Sequence, residues 1–130
     1  MTDTSAADKR ARPRLLCSDQ FSDCSIKVNE QQFIAQSINF NQCGIGVFAM
    51  SRLPDLKNFL LGFSFNDNEI DISIDNLEAV LVYVNETDVG HQYGFKFGLS
   101  KAGDEVKGKL INLEYQLELQ AKNHRYGLFT

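Results

Sequence analysis

Apolar residues alternate with other residues along several short segments in the middle of the chain. The clearest segments are residues 59–65, 70–74, 80–84 and 93–97, where phenylalanine, leucine, isoleucine, valine or tyrosine stands at every second position. A period of two is typical of a β-strand with one buried face. Three shorter apolar segments precede them, over residues 21–28, 33–38 and 45–50. Turn-forming residues separate these three segments, at Asn29-Glu30 and over residues 39–44.

After Gly103 the apolar period becomes that of a helix. The apolar positions form one stripe, made of Val106, Leu110, Leu113 and Leu117. Asp104 and Glu105 precede the stripe, where the helix dipole favours acidic side chains. We expect a helix over about residues 103–124 that covers one end of a β-structure.

Short, regularly spaced strands with turns between them are typical of an antiparallel barrel or sandwich. No helical stretch separates the strands, as a parallel sheet would require. We therefore predict an all-β fold, a six-stranded antiparallel β-barrel with a C-terminal α-helix. Residues 1–14 are predicted to be a flexible basic N-terminal arm, residues 15–125 the barrel with its helix, and residues 126–130 a tail.

The composition of the 130 residues excludes several classes of protein. Hydrophobic residues make up 43% and charged residues 23%, as is usual for a globular domain, and no apolar run is long enough to cross a bilayer. The polar, then basic, first residues do not resemble a secretory signal. The net charge of −4 argues against a general DNA or RNA binder. Three cysteines without metal-ligand spacing indicate a reducing compartment, so we expect a cytoplasmic protein.

The charge is unevenly distributed along the chain. Residues 1–14 carry four basic and two acidic groups, a net +2, whereas the remaining 116 residues carry nine basic and fifteen acidic groups, a net −6. Arg10 and Arg14 bracket three residues of this arm, and in an extended chain side chains four apart point to the same side. The planar guanidinium can hold phosphate oxygens or the O6/N7 edge of guanine. A solvated terminus without function is the other interpretation.

A second group of polar residues lies at the break between two predicted strands. Asn39 and Asn41 can hydrogen-bond the edge of a base, and Gly44 permits a close backbone approach. These asparagines could equally be turn residues that cap their own backbone, and the glycine could serve only a β-bulge. Candidate catalytic groups are sparse, because His91, His124 and the cysteines have no evident partner, so we expect no enzyme.

The order of the two motifs resembles that of the PilZ domain family, bacterial receptors for cyclic di-GMP. That family has an Arg-x-x-x-Arg motif on an N-terminal arm, matched by Arg10 and Arg14. Its Asp/Asn-x-Ser-x-x-Gly motif is matched at Asn39 and Gly44, with Asn41 in place of the serine. The segments 77–84 and 93–97 and the terminal helix look like the family's closing elements. The resemblance therefore extends from Lys9 to about Leu117 and implies a PilZ-type β-barrel.

The resemblance implies a cytoplasmic receptor that binds cyclic di-GMP and signals to an unidentified protein partner. The implied ligand-binding residues are Arg10, Arg14, Asn39, Asn41 and Gly44, with Lys9 and Arg12 as additional contacts. It implies no cofactor, metal, nucleic acid or membrane insertion, and we expect a monomer. Processes regulated through this family include motility and biofilm formation.

Two alternatives remain open at this point. A degenerate PilZ-type module could bind a protein and no nucleotide, and the asparagine at the serine position favours that interpretation. A barrel that carries a small apolar ligand or binds single-stranded nucleic acid is the second alternative. A small apolar ligand needs an open barrel interior, whereas the chain has 10 phenylalanines that can fill it. Single-stranded nucleic acid needs exposed aromatic side chains beside basic grooves, whereas the body is acidic.

Overall fold

The computed structural model describes residues 13–125. Its elements in chain order are β1 Leu15–Leu16, β2 Cys24–Val28, β3 Gln31–Asn41, β4 Gly44–Ala49, β5 Asn58–Asn66, β6 Asp71–Glu86, β7 His91–Phe97 and α1 Asp104–Arg125. All strand pairs are antiparallel and follow the order β1-β3-β2-β5-β6-β7-β4. A further pairing of β3 with β4 closes six of these strands into a barrel, and β1 adds to the end of β3. The predicted six-stranded antiparallel barrel with a C-terminal helix is confirmed.

Helix α1 packs on the barrel through its leucine stripe. Leu110, Leu113 and Leu117 are at most 2% exposed and belong to the same core as the barrel phenylalanines. The rings of Phe21, Phe40, Phe63 and Phe97 pack with centroid separations of 5.4–5.9 Å. Offset and edge-on ring pairs at such distances stabilise a core beyond their buried area. Aromatic side chains therefore fill the barrel interior around these four rings.

Strand β6 changes its buried face halfway along. Ile72 and Ile74 are buried in its first part, whereas Leu77 and Ala79 are buried in its second part. The change occurs at Asn76, whose φ of 54° marks a bulge, and the register with β5 shifts at the same place. An extra residue in one strand moves all following side chains to the opposite face.

This bulge makes one expectation wrong. The alternating valines of residues 80–84 predicted the buried side of a strand, yet Val80 and Val82, which follow this bulge, are 39% and 53% exposed. The two segments 70–74 and 80–84 are parts of the single strand β6. Alternation of apolar residues does not reveal which alternate set of side chains faces the core when a bulge intervenes.

The first strands also differ in extent from the prediction. Phe21 lies outside β2 and forms an isolated bridge with Phe65. Strand β3 continues to Asn41, so the predicted break over residues 39–44 is reduced to a tight turn before β4. The turn Asn29-Glu30 is present, with both residues at positive φ. The short strand β1 was not predicted, and it places the chain just after Arg14 against the end of β3.

Candidate ligand site

The turn that joins β3 to β4 is held by two side chains. The Oδ1 atom of Asn41 accepts hydrogen bonds from the backbone N–H groups of Cys43 and Gly44, at 2.7 and 3.0 Å. Glu114 of α1 accepts a third, from the N–H of Gln42, at 2.8 Å. Asn41 is 2% exposed and Glu114 5% exposed, so these bonds are shielded from water. The turn is therefore fixed from within and from the helix.

Arg14 reaches this hairpin from the start of β1. Its Nη2 atom donates to the carbonyl oxygen of Phe95 on β7, at 3.1 Å, and its Nη1 atom lies 3.4 Å from Oδ1 of Asn39 on β3. The backbone of β1 pairs with β3 directly after it, with Leu15 opposite Phe40 and Leu16 opposite Asn39. Strand pairing thus positions the arginine, and the two hydrogen bonds hold its guanidinium against the outer face of the barrel.

Gly44 leaves the space that this guanidinium occupies. A β-carbon at Gly44 would lie 2.4 Å from the carbonyl oxygen of Phe95 and 2.6 Å from Nη2 of Arg14. Such separations are below van der Waals contact, so a larger residue would displace the arginine or the strand. The glycine is therefore required by the close approach of both the β7 backbone at Phe95 and the side chain of Arg14.

Two further glycines continue this surface across β4 and β7. Gly46 pairs with Asn39 on one side and with Gly94 on the other. A β-carbon at Gly46 would lie 2.5 Å from Oδ1 of Asn39, and one at Gly94 would lie 2.0 Å from the ring of Tyr83. We call Gly44, Gly46 and Gly94 the glycine floor. The side chains that lie over it are Arg14, just before β1, Asn39 on β3 and Tyr83 on β6.

The structure brings four of the predicted site residues together. The distances given above place Arg14 next to both Asn39 and Gly44. The Nδ2 atom of Asn41 lies 3.5 Å from the carbonyl oxygen of Pro13. The Oδ1 atom of Asn41 is engaged by the turn, so the side chain acts there as a cap. Its predicted contact with a base stays a prediction. The predictions for Lys9, Arg10 and Arg12 concern residues outside the part of the chain that the structure describes.

Sequence reasoning missed two side chains of the same face. Tyr83 covers Gly94, and Lys96 is the exposed residue of β7 opposite Gly44. The position of Tyr83 depends on the register of β6 against β7, which shifts between Leu81 and Tyr83, and that of Lys96 on the pairing of β7 with β4. Only the alternation Tyr93-Gly94-Phe95-Lys96-Phe97 could have indicated that Lys96 points away from the aromatic core.

Other reactive groups in the described part of the chain do not form a chemical site. Burial raises the pKa of the Cys17 and Cys24 thiols to about 12, so both stay protonated and poorly nucleophilic at neutral pH. Within residues 13–125, no cluster of three histidine, cysteine, aspartate or glutamate side chains could hold a metal ion. In the same part of the chain, α1 lacks the apolar length needed to cross a membrane.

Comparisons with known proteins give structural neighbours only. No protein-family model matches the chain, and no curated protein matches its sequence. The structure is similar to the PilZ domain of YcgR from Escherichia coli bound to c-di-GMP, with a TM-score of 0.68 and 15% identity over 90% of this chain and 97% of that one.

Two longer proteins contain the same fold. A crystal structure of YcgR from Escherichia coli in complex with c-di-GMP gives a TM-score of 0.71, with 15% identity over 93% of this chain. The inhibitor of motility MotI/DgrA from Bacillus subtilis gives 0.66, with 16% identity over 85% of this chain. The chain spans about half the length of each, 51% and 53% respectively. The described chain thus has the fold of a PilZ domain.

Proposed function

We propose that this protein is a non-enzymatic, cytoplasmic receptor for cyclic di-GMP. The observation that carries the proposal is the position of Arg14, which lies over Gly44 and beside Asn39 on the outer face of a PilZ-type barrel. Asn39 on β3 and Gly44 on β4 lie 25 and 30 positions after Arg14, which precedes β1. Both sequence motifs therefore contribute to one surface.

The chemistry of this surface suits a guanine nucleotide. A guanidinium can donate two parallel hydrogen bonds to phosphate oxygens or to O6 and N7 of guanine, and its face can stack on a base. Asn39 offers an amide that can both donate and accept. The glycine floor lets the side chains of Arg14, Asn39 and Tyr83 lie directly against the sheet, where their outer sides can contact a flat ligand. By the family resemblance, Arg10 would add a second guanidinium from the arm.

The receptor would signal through the N-terminal arm. Ligand bound between Arg14 and the arm residues Lys9, Arg10 and Arg12 would favour one arm position, because a ligand stabilises the conformation that it binds best. Residues 1–14 would then present a different surface to a partner protein. Amide hydrogen exchange in residues 1–12 should become slower on addition of cyclic di-GMP, and unchanged exchange would contradict this signalling route.

Calorimetric titration tests the proposal, with GTP and a linear guanine dinucleotide as control ligands. Wild-type protein should bind cyclic di-GMP in preference to both. Arg14→Ala should weaken binding by about 1.5–3 kcal/mol, roughly tenfold to more than a hundredfold, the range for a hydrogen bond to a charged group. Arg52→Ala is the matched control, since Arg52 pairs with Glu86 near the opposite ends of β4 and β7.

A protein-interaction module that binds no nucleotide is the second candidate. The observation that favours it is Asn41, which stands at the family's serine position and uses its Oδ1 atom within the turn. Wild-type protein without measurable heat of binding, together with unchanged amide exchange, would support this candidate and contradict the receptor.

A further inference from the structure

Tyr83 presents one face of its ring on the surface that holds Arg14. A β-carbon at Gly94 would lie 2.0, 2.4 and 2.6 Å from Cε2, Cδ2 and Cζ of that ring. These distances are those of a point above the ring face, since a point in the ring plane beyond Cε2 would lie farther from both neighbouring carbons. The inner face of the ring therefore rests on Gly94. Tyr83 is 41% exposed, so its other face is open to solvent.

Lys96 lies two residues along β7 from Gly94, on the same outer face. Its neighbours Phe95 and Phe97 are buried, whereas Lys96 is exposed and pairs with Gly44. Residues two apart in a strand are separated by roughly 7 Å. Three groups therefore surround the glycine floor. They are the ring of Tyr83 on β6, the ammonium group of Lys96 on β7 and the guanidinium of Arg14 just before β1.

The spacing of these groups fits the parts of a purine nucleotide. Adjacent strands lie about 4.8 Å apart, so Tyr83 over Gly94 and Arg14 over Gly44 and Gly46 are close enough for one ligand to touch both. An exposed aromatic face stacks on a base of any kind, and an ammonium group attracts phosphate as a point charge. A group that can stack on a base thus lies next to a group that can attract a phosphate.

We infer that Tyr83 stacks on a guanine base of the bound nucleotide and that Lys96 pairs with one of its phosphates. This inference rests on the proposed function and extends the site beyond the residues of the two motifs. Arg14 and Asn39 would then hold one side of the ligand, and Tyr83 and Lys96 the other. Neither additional residue belongs to a short sequence pattern, because the bulge between Leu81 and Tyr83 places Tyr83 opposite Gly94 and strand pairing places Lys96 opposite Gly44.

The first test compares cyclic di-GMP affinity among variants at Tyr83 by calorimetry. Tyr83→Phe keeps the ring and should bind within threefold of wild type. Tyr83→Leu keeps an apolar cover over Gly94 without an aromatic face, and it should bind about tenfold to a hundredfold more weakly, as expected for one lost stacking contact. Tyr115→Ala is the control, since Tyr115 is a 54% exposed tyrosine on the outer side of α1. Equal affinity of the leucine and phenylalanine variants would overturn the stacking contact.

The second test concerns the charge of Lys96. Lys96→Gln should weaken binding several-fold at low salt and reduce the dependence of affinity on salt, because one cation fewer faces the phosphates. Lys101→Gln, an exposed lysine after β7, should change neither quantity. A Lys96 variant with wild-type affinity and salt dependence would remove this residue from the site.

The outcomes separate the two proposals. If wild-type protein binds cyclic di-GMP and Arg14→Ala does not, but the Tyr83 and Lys96 variants bind like wild type, the receptor function stands and this inference falls. If wild-type protein does not bind, both fall. Thermal unfolding of each variant shows whether its fold is retained, and the comparison of leucine with phenylalanine at position 83 is decisive because both side chains still cover Gly94.

Discussion

The carboxylate of Glu114 on α1 accepts a hydrogen bond of 2.8 Å from the backbone N–H of Gln42, 72 residues earlier in the chain. This contact joins the C-terminal helix to the β3–β4 turn, whose next residues carry the glycine floor. Because Glu114 is only 5% exposed, water competes poorly for the turn amide. The helix thus does more than cover apolar side chains, since it also fixes one edge of the candidate ligand site.

Removing the carboxylate should loosen that turn. Glu114→Ala leaves the N–H of Gln42 without this acceptor, and we expect the free energy of unfolding in urea to fall by about 1–3 kcal/mol. Glu114→Gln retains an acceptor oxygen and should lose less. Glu118→Ala is the control, because Glu118 is exposed on the same helix. Equal stability of the Glu114→Ala and Glu118→Ala proteins would contradict a structural role for this contact.

Gly44→Ala should disturb both the fold and the candidate site. The added methyl group would overlap the carbonyl oxygen of Phe95 and the guanidinium of Arg14, so we expect a loss of about 1–3 kcal/mol in stability and more than tenfold in cyclic di-GMP affinity. Gly108→Ala on α1 meets nothing within 4 Å and should raise helix stability by about 0.5–1 kcal/mol. Chemical denaturation and calorimetry measure both quantities. An alanine at position 44 that binds normally would show that Arg14 is not needed there.

Substitutions at Asn41 distinguish turn capping from ligand contact. Asn41→Ala removes the acceptor of two backbone N–H groups and should cost about 1–3 kcal/mol of stability. Asn41→Ser restores a short side-chain acceptor, so it should recover much of that stability and leave nucleotide affinity unchanged or higher. Urea unfolding and calorimetry on the two variants measure these effects. A serine variant that is stable but binds much more weakly would show that Asn41 itself contacts the ligand.

The buried thiols predict a dependence of stability on alkaline pH. Burial raises the pKa of Cys24 from its ordinary 9.0 to about 12, so the unfolded chain ionises this thiol before the folded protein does. The contribution of Cys24 is therefore fully present below pH 9 and is lost as the pH rises towards 12. The urea midpoint should decline over this range, and it should decline less in Cys24→Ala. Parallel pH profiles of the two proteins would contradict the assignment.

Much of the barrel follows from local sequence patterns. The aromatic alternation over residues 59–65 and 93–97 corresponds to β5 and β7, and the leucine stripe corresponds to the buried side of α1. In each of these elements the same side faces the core from end to end, so the spacing of its apolar residues reveals its buried face. Strand β6 differs, because the bulge at Asn76 reverses which side is buried, and the exposed valines after it gave a misleading signal.

In the candidate site, too, some residues could be predicted from the sequence and others could not. Arg14, Asn39 and Gly44 could be predicted because two short motifs contain them. Tyr83, Lys96 and Glu114 could not, because each reaches the site through a contact between distant elements. The pairing of Arg14 with Phe95 spans 81 residues, and that of Glu114 with Gln42 spans 72. Strand register and helix docking determine such contacts, and neither is encoded in a local pattern.

The most direct test of the central claim is to follow the backbone amides of the glycines by NMR during a titration of ¹⁵N-labelled protein with cyclic di-GMP. If the nucleotide lies on the glycine floor beside Arg14, the resonances of Gly44, Gly46 and Gly94 should shift together and saturate at one affinity. Those of Gly62 on β5 and Gly108 on α1 should stay in place. Unchanged floor resonances at saturating ligand, with or without shifts elsewhere, would contradict the account.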